Sequence, residues 1–125
     1  MNATRAHRLM IVDDSNVMRR KIERSQDIPN VEIIGTAGNG HEALALHAEA
    51  RPTLVTMDLT MPEMDGIECV EQLVGRDPDI RILVISALAD KATAIEALEK
   101  GASGFLCKPF TERQLNDALV KLIES

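Results

Sequence analysis

The sequence predicts an α/β domain built on an open, doubly wound parallel sheet of five strands. Two observations predict it. Five short apolar runs alternate with five stretches of helical period along the 125 residues. The runs are almost continuously apolar, as strands are when helices cover both faces of a sheet. Right-handed crossovers between such strands place helices on both sides. A chain of this length buries about two-thirds of its unfolded surface, enough for one core.

Residues 1–7 read as a frayed lead-in and 8–125 as one domain. The first strand carries Leu9-Met10-Ile11-Val12. A helix opens after Asp14-Ser15 and reaches about Gln26. The second strand is Val31–Ala37, turned at Gly38. Asn39 with Glu42 three residues on resembles a capping box and opens a helix to about Ala50. The third strand is Thr53–Met57. Asp65 with Glu68 is a second cap signal, before a helix whose apolar stripe is Ile67, Val70, Leu73 and Val74. Pro78 keeps the next segment out of a helix. The fourth strand is Arg81–Ile85. A helix over about Lys91–Lys100 stops at Gly101, a residue suited to the left-handed conformation that ends helices. The fifth strand is Ser103–Cys107. Thr111 with Gln114 caps the last helix, striped by Leu115, Ala118, Leu119 and Leu122.

Composition narrows the function. Trp and Tyr are absent and Phe occurs twice, so the core is aliphatic with Met filling gaps. A net charge of -6 argues against nucleic-acid binding, which needs a basic stripe. The one basic cluster, Arg19-Arg20-Lys21 with Arg24, reads as a solvated helix face or a docking surface for an acidic partner. Cys69 and Cys107 have no metal-ligand spacing and read as reduced thiols of a cytoplasmic protein. Cys107, inside an apolar run, reads as a small core hydrophobe. No signal peptide and no run near the roughly 20 residues of a membrane span is present. His7, His41 and His47 form no ligand set and read as structural or surface residues. The glycine-rich stretch Gly35–Gly40 has neither dinucleotide nor P-loop spacing.

Chemistry gathers at the strand ends. The first strand ends in Asp13-Asp14, the third in Asp58, the fourth in Ser86 and the fifth in Lys108. In a parallel sheet these groups meet at the carboxyl edge, where open α/β sheets bind ligands. Taken singly, Asp13 and Asp14 could be helix caps and Asp58 a loop acid; the joint pattern is a metal-and-phosphate site. Three carboxylates repel one another, and a hard divalent ion relieves this. Mg²⁺ together with Lys108 brings the local formal charge to neutral, so a phosphoryl group can approach. Ser86 and Lys108 can each bind a phosphoryl oxygen. Asp58 is the better phosphoryl acceptor, because it is already ionised whereas Ser86 has no base near it in sequence. Transfer needs mainly positioning and charge neutralisation.

These residues resemble the receiver domain of two-component response regulators, most closely single-domain CheY-like receivers. The resemblance covers about Arg8 to the end. It rests on Val12-Asp13-Asp14-Ser15, on Met57-Asp58-Leu59-Thr60-Met61-Pro62-Glu63-Met64-Asp65-Gly66, on Ser86-Ala87, and on Gly101-Ala102-Ser103-Gly104-Phe105 leading to Lys108-Pro109-Phe110. It implies a flavodoxin-like sheet in the order 2-1-3-4-5 and a cis peptide at Lys108-Pro109. It implies that Asp58 accepts phosphate from a histidine kinase or histidine phosphotransfer protein. Asp14, Asp58 and the Thr60 backbone carbonyl would ligate Mg²⁺, with Asp13 assisting through water. Ser86 and Lys108 would hold the phosphoryl oxygens, and Ser86 with Phe105 would form the switch. Thr60 and Leu88 fall where the family tunes dephosphorylation.

Phe105 departs from the Tyr of the CheY pattern, which bears on whether a flagellar-motor target is bound in the CheY manner. No output module follows Ser125, so the expected output is a protein contact on the face of the fourth helix, fifth strand and fifth helix. The first helix, with Met18, Arg19 and Ile22, is the expected kinase-docking surface. A monomer is expected, with neither nucleic acid nor membrane insertion, in chemotaxis or a related relay. Two other classes are weaker. A phosphohydrolase turning over at Asp58 needs a second acid two residues on, and Thr60 stands there. A phosphate-independent interaction domain would not need the acid triad.

Overall fold

The computed structural model describes residues 7–87 and 91–125. Strands β1 (His7–Val12), β2 (Val31–Ala37), β3 (Leu54–Met57), β4 (Arg81–Ser86) and β5 (Gly104–Cys107) alternate with helices α1 (Asn16–Ser25), α2 (Gly40–Ala50), α3 (Gly66–Arg76), α4 (Lys91–Glu99) and α5 (Glu112–Glu124). The sheet is parallel throughout, in the order β2-β1-β3-β4-β5. The expected doubly wound architecture is therefore the observed one.

Strand periodicity divides the core into two layers. Leu9, Ile11, Leu83 and Ile85 point to one side and pack with Ile22, Leu115, Leu119 and Leu122 from α1 and α5. Met10, Val12, Ile82 and Val84 point to the other and pack with Leu44, Val70, Leu73 and Ala97 from α2, α3 and α4. The strands are apolar at successive positions because both faces are covered. Met10, Met57 and Met64 take up space in the second layer, as the scarcity of aromatics requires.

Capping explains where α1, α2, α3 and α5 begin. Ser15 Oγ accepts from Met18 N at 3.2 Å, Asp65 Oδ1 from Glu68 N at 2.8 Å and Asn39 Oδ1 from Glu42 N at 2.9 Å. The Asn39–Glu42 pair is half a capping box, since Glu42 Oε1 accepts from Gly38 N instead of Asn39 N. Thr111 and Gln114 close a full reciprocal box. Gly101 follows α4 at φ 115°, where an L side chain is strained and where a Cβ would also stand 2.8 Å from Val74.

Several expectations shift. His7 belongs to β1, and its N–H donates to Asn30 O. β4 extends through Ser86, which pairs in register with Cys107. Cys107 is exposed, not a core residue; it is the last residue of an edge strand, with a strand beside it on one side only. On α1, Ile22 is 1% exposed and Met18 and Arg19 are half-buried, so these three do not form the outward face. The core-facing turn of α1 takes them, leaving Val17, Arg20 and Arg24 in solvent. Lys21 also turns inward, donating to Phe110 O at 3.1 Å with its ammonium 4.4 Å from the Phe110 ring centre. Of the basic cluster, only Arg20 and Arg24 are a solvated face. His47 is buried, with Nε2 3.5 Å from Asp77 Oδ2.

Candidate functional site

β1, β3 and β4 end side by side, and β5 ends next to β4. Their polar termini therefore converge by register alone. Asp13 and Asp58 are buried, at 1% and 5% exposure, while Asp14 reaches solvent. One oxygen from each of the three carboxylates lies within 4.8 Å of the others. Ser86 is buried at the end of β4, and its carbonyl accepts from Lys108 N at 2.9 Å. Lys108 Nζ lies 3.0 Å from Asp13 Oδ2 and 3.5 Å from Asp58 Oδ1. The Lys108–Pro109 peptide is cis.

Asp58 is held from both sides. Its backbone N–H donates to Val12 O at 2.9 Å, and its Oδ1 accepts a long bond from Thr60 N at 3.4 Å. Gly66, the first residue of α3, presses on it from behind. A Cβ on residue 66 would stand 2.2 Å from the Asp58 carbonyl oxygen, so only glycine fits. In the sequence Gly66 stands only as the last residue of the Met57–Gly66 motif, with no role of its own.

Electrostatics set Asp58 apart. Burial and the neighbouring Asp13 push its carboxyl up to about 6, against the pull of Lys108 and the Thr60 N–H. Three carboxylates here face one ammonium, that of Lys108, so the cluster carries an excess of formal negative charge. Hard carboxylate oxygens at this spacing suit an octahedral ion, whose roughly 2.1 Å bonds set ligand oxygens about 3–4 Å apart. Asp14 is the most open of the three. Both Asp13 oxygens already accept hydrogen bonds, from Ser15 N at 2.9 Å and from Lys108.

A family model described as the response regulator receiver domain matches residues 9–120. The chain belongs to the response regulator receiver family. Chemotaxis protein CheY of Thermotoga maritima is 40% identical over 115 residues, covering 92% of this chain and 96% of that protein. Chemotaxis protein CheY of Listeria monocytogenes is 38% identical over 114 residues, covering 91% and 96%. Among solved structures, the CheX-CheY-BeF3-Mg complex of Borrelia burgdorferi superposes with a TM-score of 0.88 at 30% identity, covering 93% of this chain and 88% of that one. This receiver is thus similar to CheY proteins over nearly its whole length.

Phe105 lies half-buried on β5, paired with Val84 and packed against the α2–α4 side of the core. It shares its strand with the route to Lys108. Leu88 lies outside the described residues. Thr60 is exposed beside Asp58 and supplies an N–H to it. Among the described residues no helix is long and apolar enough to cross a membrane.

Proposed function

We propose that this receiver is a phosphorelay response regulator whose Asp58 accepts a phosphoryl group from a histidine kinase or a histidine phosphotransfer protein. A carboxylate oxygen of Asp58 attacks phosphorus, the phosphorus–nitrogen bond breaks with its electron pair going to the ring nitrogen, and the donor imidazole, already protonated at its other nitrogen, leaves neutral. The reaction depends on Mg²⁺ held by Asp14, Asp58 and the Thr60 carbonyl, with Asp13 assisting. The bound ion supplies positive charge to the phosphoryl oxygens. Lys108 pairs with one phosphoryl oxygen and Ser86 donates to another. Lys108 already touches the acceptor carboxylate, so the incoming charge meets an ammonium in place. The observation that carries the reading is this shared contact of Lys108 with Asp13 and Asp58 inside the three-carboxylate cluster.

Phosphorylation draws Ser86 toward the phosphoryl group and biases Phe105, altering the face of α4, β5 and α5. Ile95 and Leu98 stand exposed on α4, at 48% and 46%, and suit an apolar protein target. Donor docking falls to α1, where Val17 is 76% exposed beside Arg20 and Arg24. Likeness to CheY proteins favours a chemotaxis pathway, and two unpaired thiols fit a cytoplasmic protein. The receiver acts as a signalling protein and not as a turnover enzyme, because Thr60 offers no second acid.

The test incubates the protein with Mg²⁺ and a small acyl phosphate and follows its mass. The unaltered chain should gain one acid-stable, base-labile phosphoryl group, and Asp58→Asn should gain none. Equal labelling of both refutes the acceptor assignment. Rapid, continuous phosphate release would favour the hydrolase, and target binding that ignores phosphorylation would favour the interaction domain.

A further inference from the structure

We propose that Arg19 is a positioning residue for the magnesium carboxylates, a clamp across the three-residue β1–α1 loop that carries Asp13 and Asp14. The inference rests on the reading of Asp13, Asp14 and Asp58 as a Mg²⁺ site. Asp13 follows Val12, the last residue of β1, and only Asp14 and Ser15 separate it from Asn16, the start of α1. Asp14 is exposed, and its side chain makes no hydrogen bond or ion pair among the described residues. Its position is therefore set by the backbone on either side.

Arg19 fastens both sides. Its side chain runs back toward the start of its own helix, the direction helical side chains favour. Nη1 donates to the carbonyl of Asp13 at 2.5 Å, and Nη2 donates to Oδ1 of Asn16. One planar group thus ties Asp13 to Asn16, the two residues on either side of Asp14-Ser15. Asp13 itself is already fixed at three other atoms. Its N–H donates to Ala37 O at 3.0 Å, Oδ1 accepts from Ser15 N, and Oδ2 accepts from Lys108. Arg19 engages the remaining polar atom of that residue. Gly38 leaves the guanidinium room, since a Cβ there would stand 3.3 Å from Nη1. A lysine has no fork and reaches only one of the two acceptors.

The sign of the effect separates positioning from charge. A cation beside an acidic cluster opposes Mg²⁺ by Coulomb repulsion, so loss of charge alone would tighten magnesium binding. Loss of a group that orients ligands weakens it, by about tenfold or more for such outer partners. Arg20 is the control, exposed on the same helix and making no hydrogen bond or ion pair with the loop among the described residues.

The experiment titrates Mg²⁺ into the full chain by calorimetry, with thermal melting in chelator to establish that each variant is folded. Arg19→Met should bind Mg²⁺ about tenfold more weakly. Arg19→Lys should bind severalfold more weakly although its charge is kept, and Arg20→Met should bind as tightly as the unaltered chain or slightly tighter. Unchanged or tighter binding by Arg19→Met overturns the proposal, as does an equal loss in Arg20→Met. If Arg19→Met does not fold, Arg19→Lys decides, and unaltered affinity in that variant overturns the proposal. Absence of magnesium binding by the unaltered chain refutes the metal reading itself, and with it this inference, whereas a null result confined to the Arg19 variants refutes the clamp alone.

Discussion

Replacing Asp58 with asparagine should stabilise the metal-free protein at neutral pH, although it removes the acceptor. Burial and Asp13 hold the folded carboxyl at about 6, above its ordinary 3.8. The folded state therefore binds more protons than the unfolded chain between those values, and stability falls as pH rises from about 4 through 6. At one pH unit per 1.36 kcal/mol, the charged Asp58 costs at most about 3 kcal/mol at pH 7.5. The asparagine side chain has no charge to desolvate and none to repel Asp13, while Lys108 keeps its 3.0 Å partner in Asp13. The expected gain is about 2 kcal/mol, or roughly 8 °C in Tm for a chain of this size. The assay is thermal melting in chelator, followed by circular dichroism because the chain has no Trp or Tyr. The gain should be present at pH 7.5 and nearly gone at pH 4. Added Mg²⁺ should raise the unaltered chain's Tm and so narrow the difference. A variant no more stable than the unaltered chain at pH 7.5, or one with the same gain at pH 4, would refute the electrostatic account.

Other consequences can be checked in parallel. Thr56 is buried in β3 with no partner for its hydroxyl among the described residues, so Thr56→Val should stabilise by about 1 kcal/mol in denaturant unfolding. Gly66→Ala places a methyl 2.2 Å from the Asp58 carbonyl oxygen and should destabilise by about 3 kcal/mol or more by the same measurement. Burial pushes the Cys69 thiol up to about 12, while Cys107 is exposed. Alkylation of the native protein at pH 8 should therefore modify Cys107 alone, and Cys69 only after unfolding, as peptide mass mapping would show.

The strand-end pattern was the most legible part of the sequence. Apolar runs fix where strands stop, and parallel pairing then forces Asp13, Asp58, Ser86 and Lys108 to one edge. Side-chain direction was less legible. Cys107 looked internal because an apolar run does not distinguish an edge strand from a central one. The family resemblance points to Met18, Arg19 and Ile22 as a docking face, but helical period turns that face inward and the long Arg19 side chain reaches back to the loop. The pressure of Gly66 on Asp58 depends on two backbones meeting across the α3 start, which no local pattern encodes. The clamp by Arg19 is of the same kind, a contact set by how α1 sits on β1.

The central claim is that phosphate is carried as an acyl phosphate on Asp58. Borohydride reduction of the phosphorylated protein tests it most directly, because it converts an aspartyl phosphate to homoserine and leaves a serine phosphate untouched. Peptide sequencing should find homoserine at position 58 alone. Homoserine at position 13 or 14, or phosphate retained on Ser86 after reduction, would contradict the account.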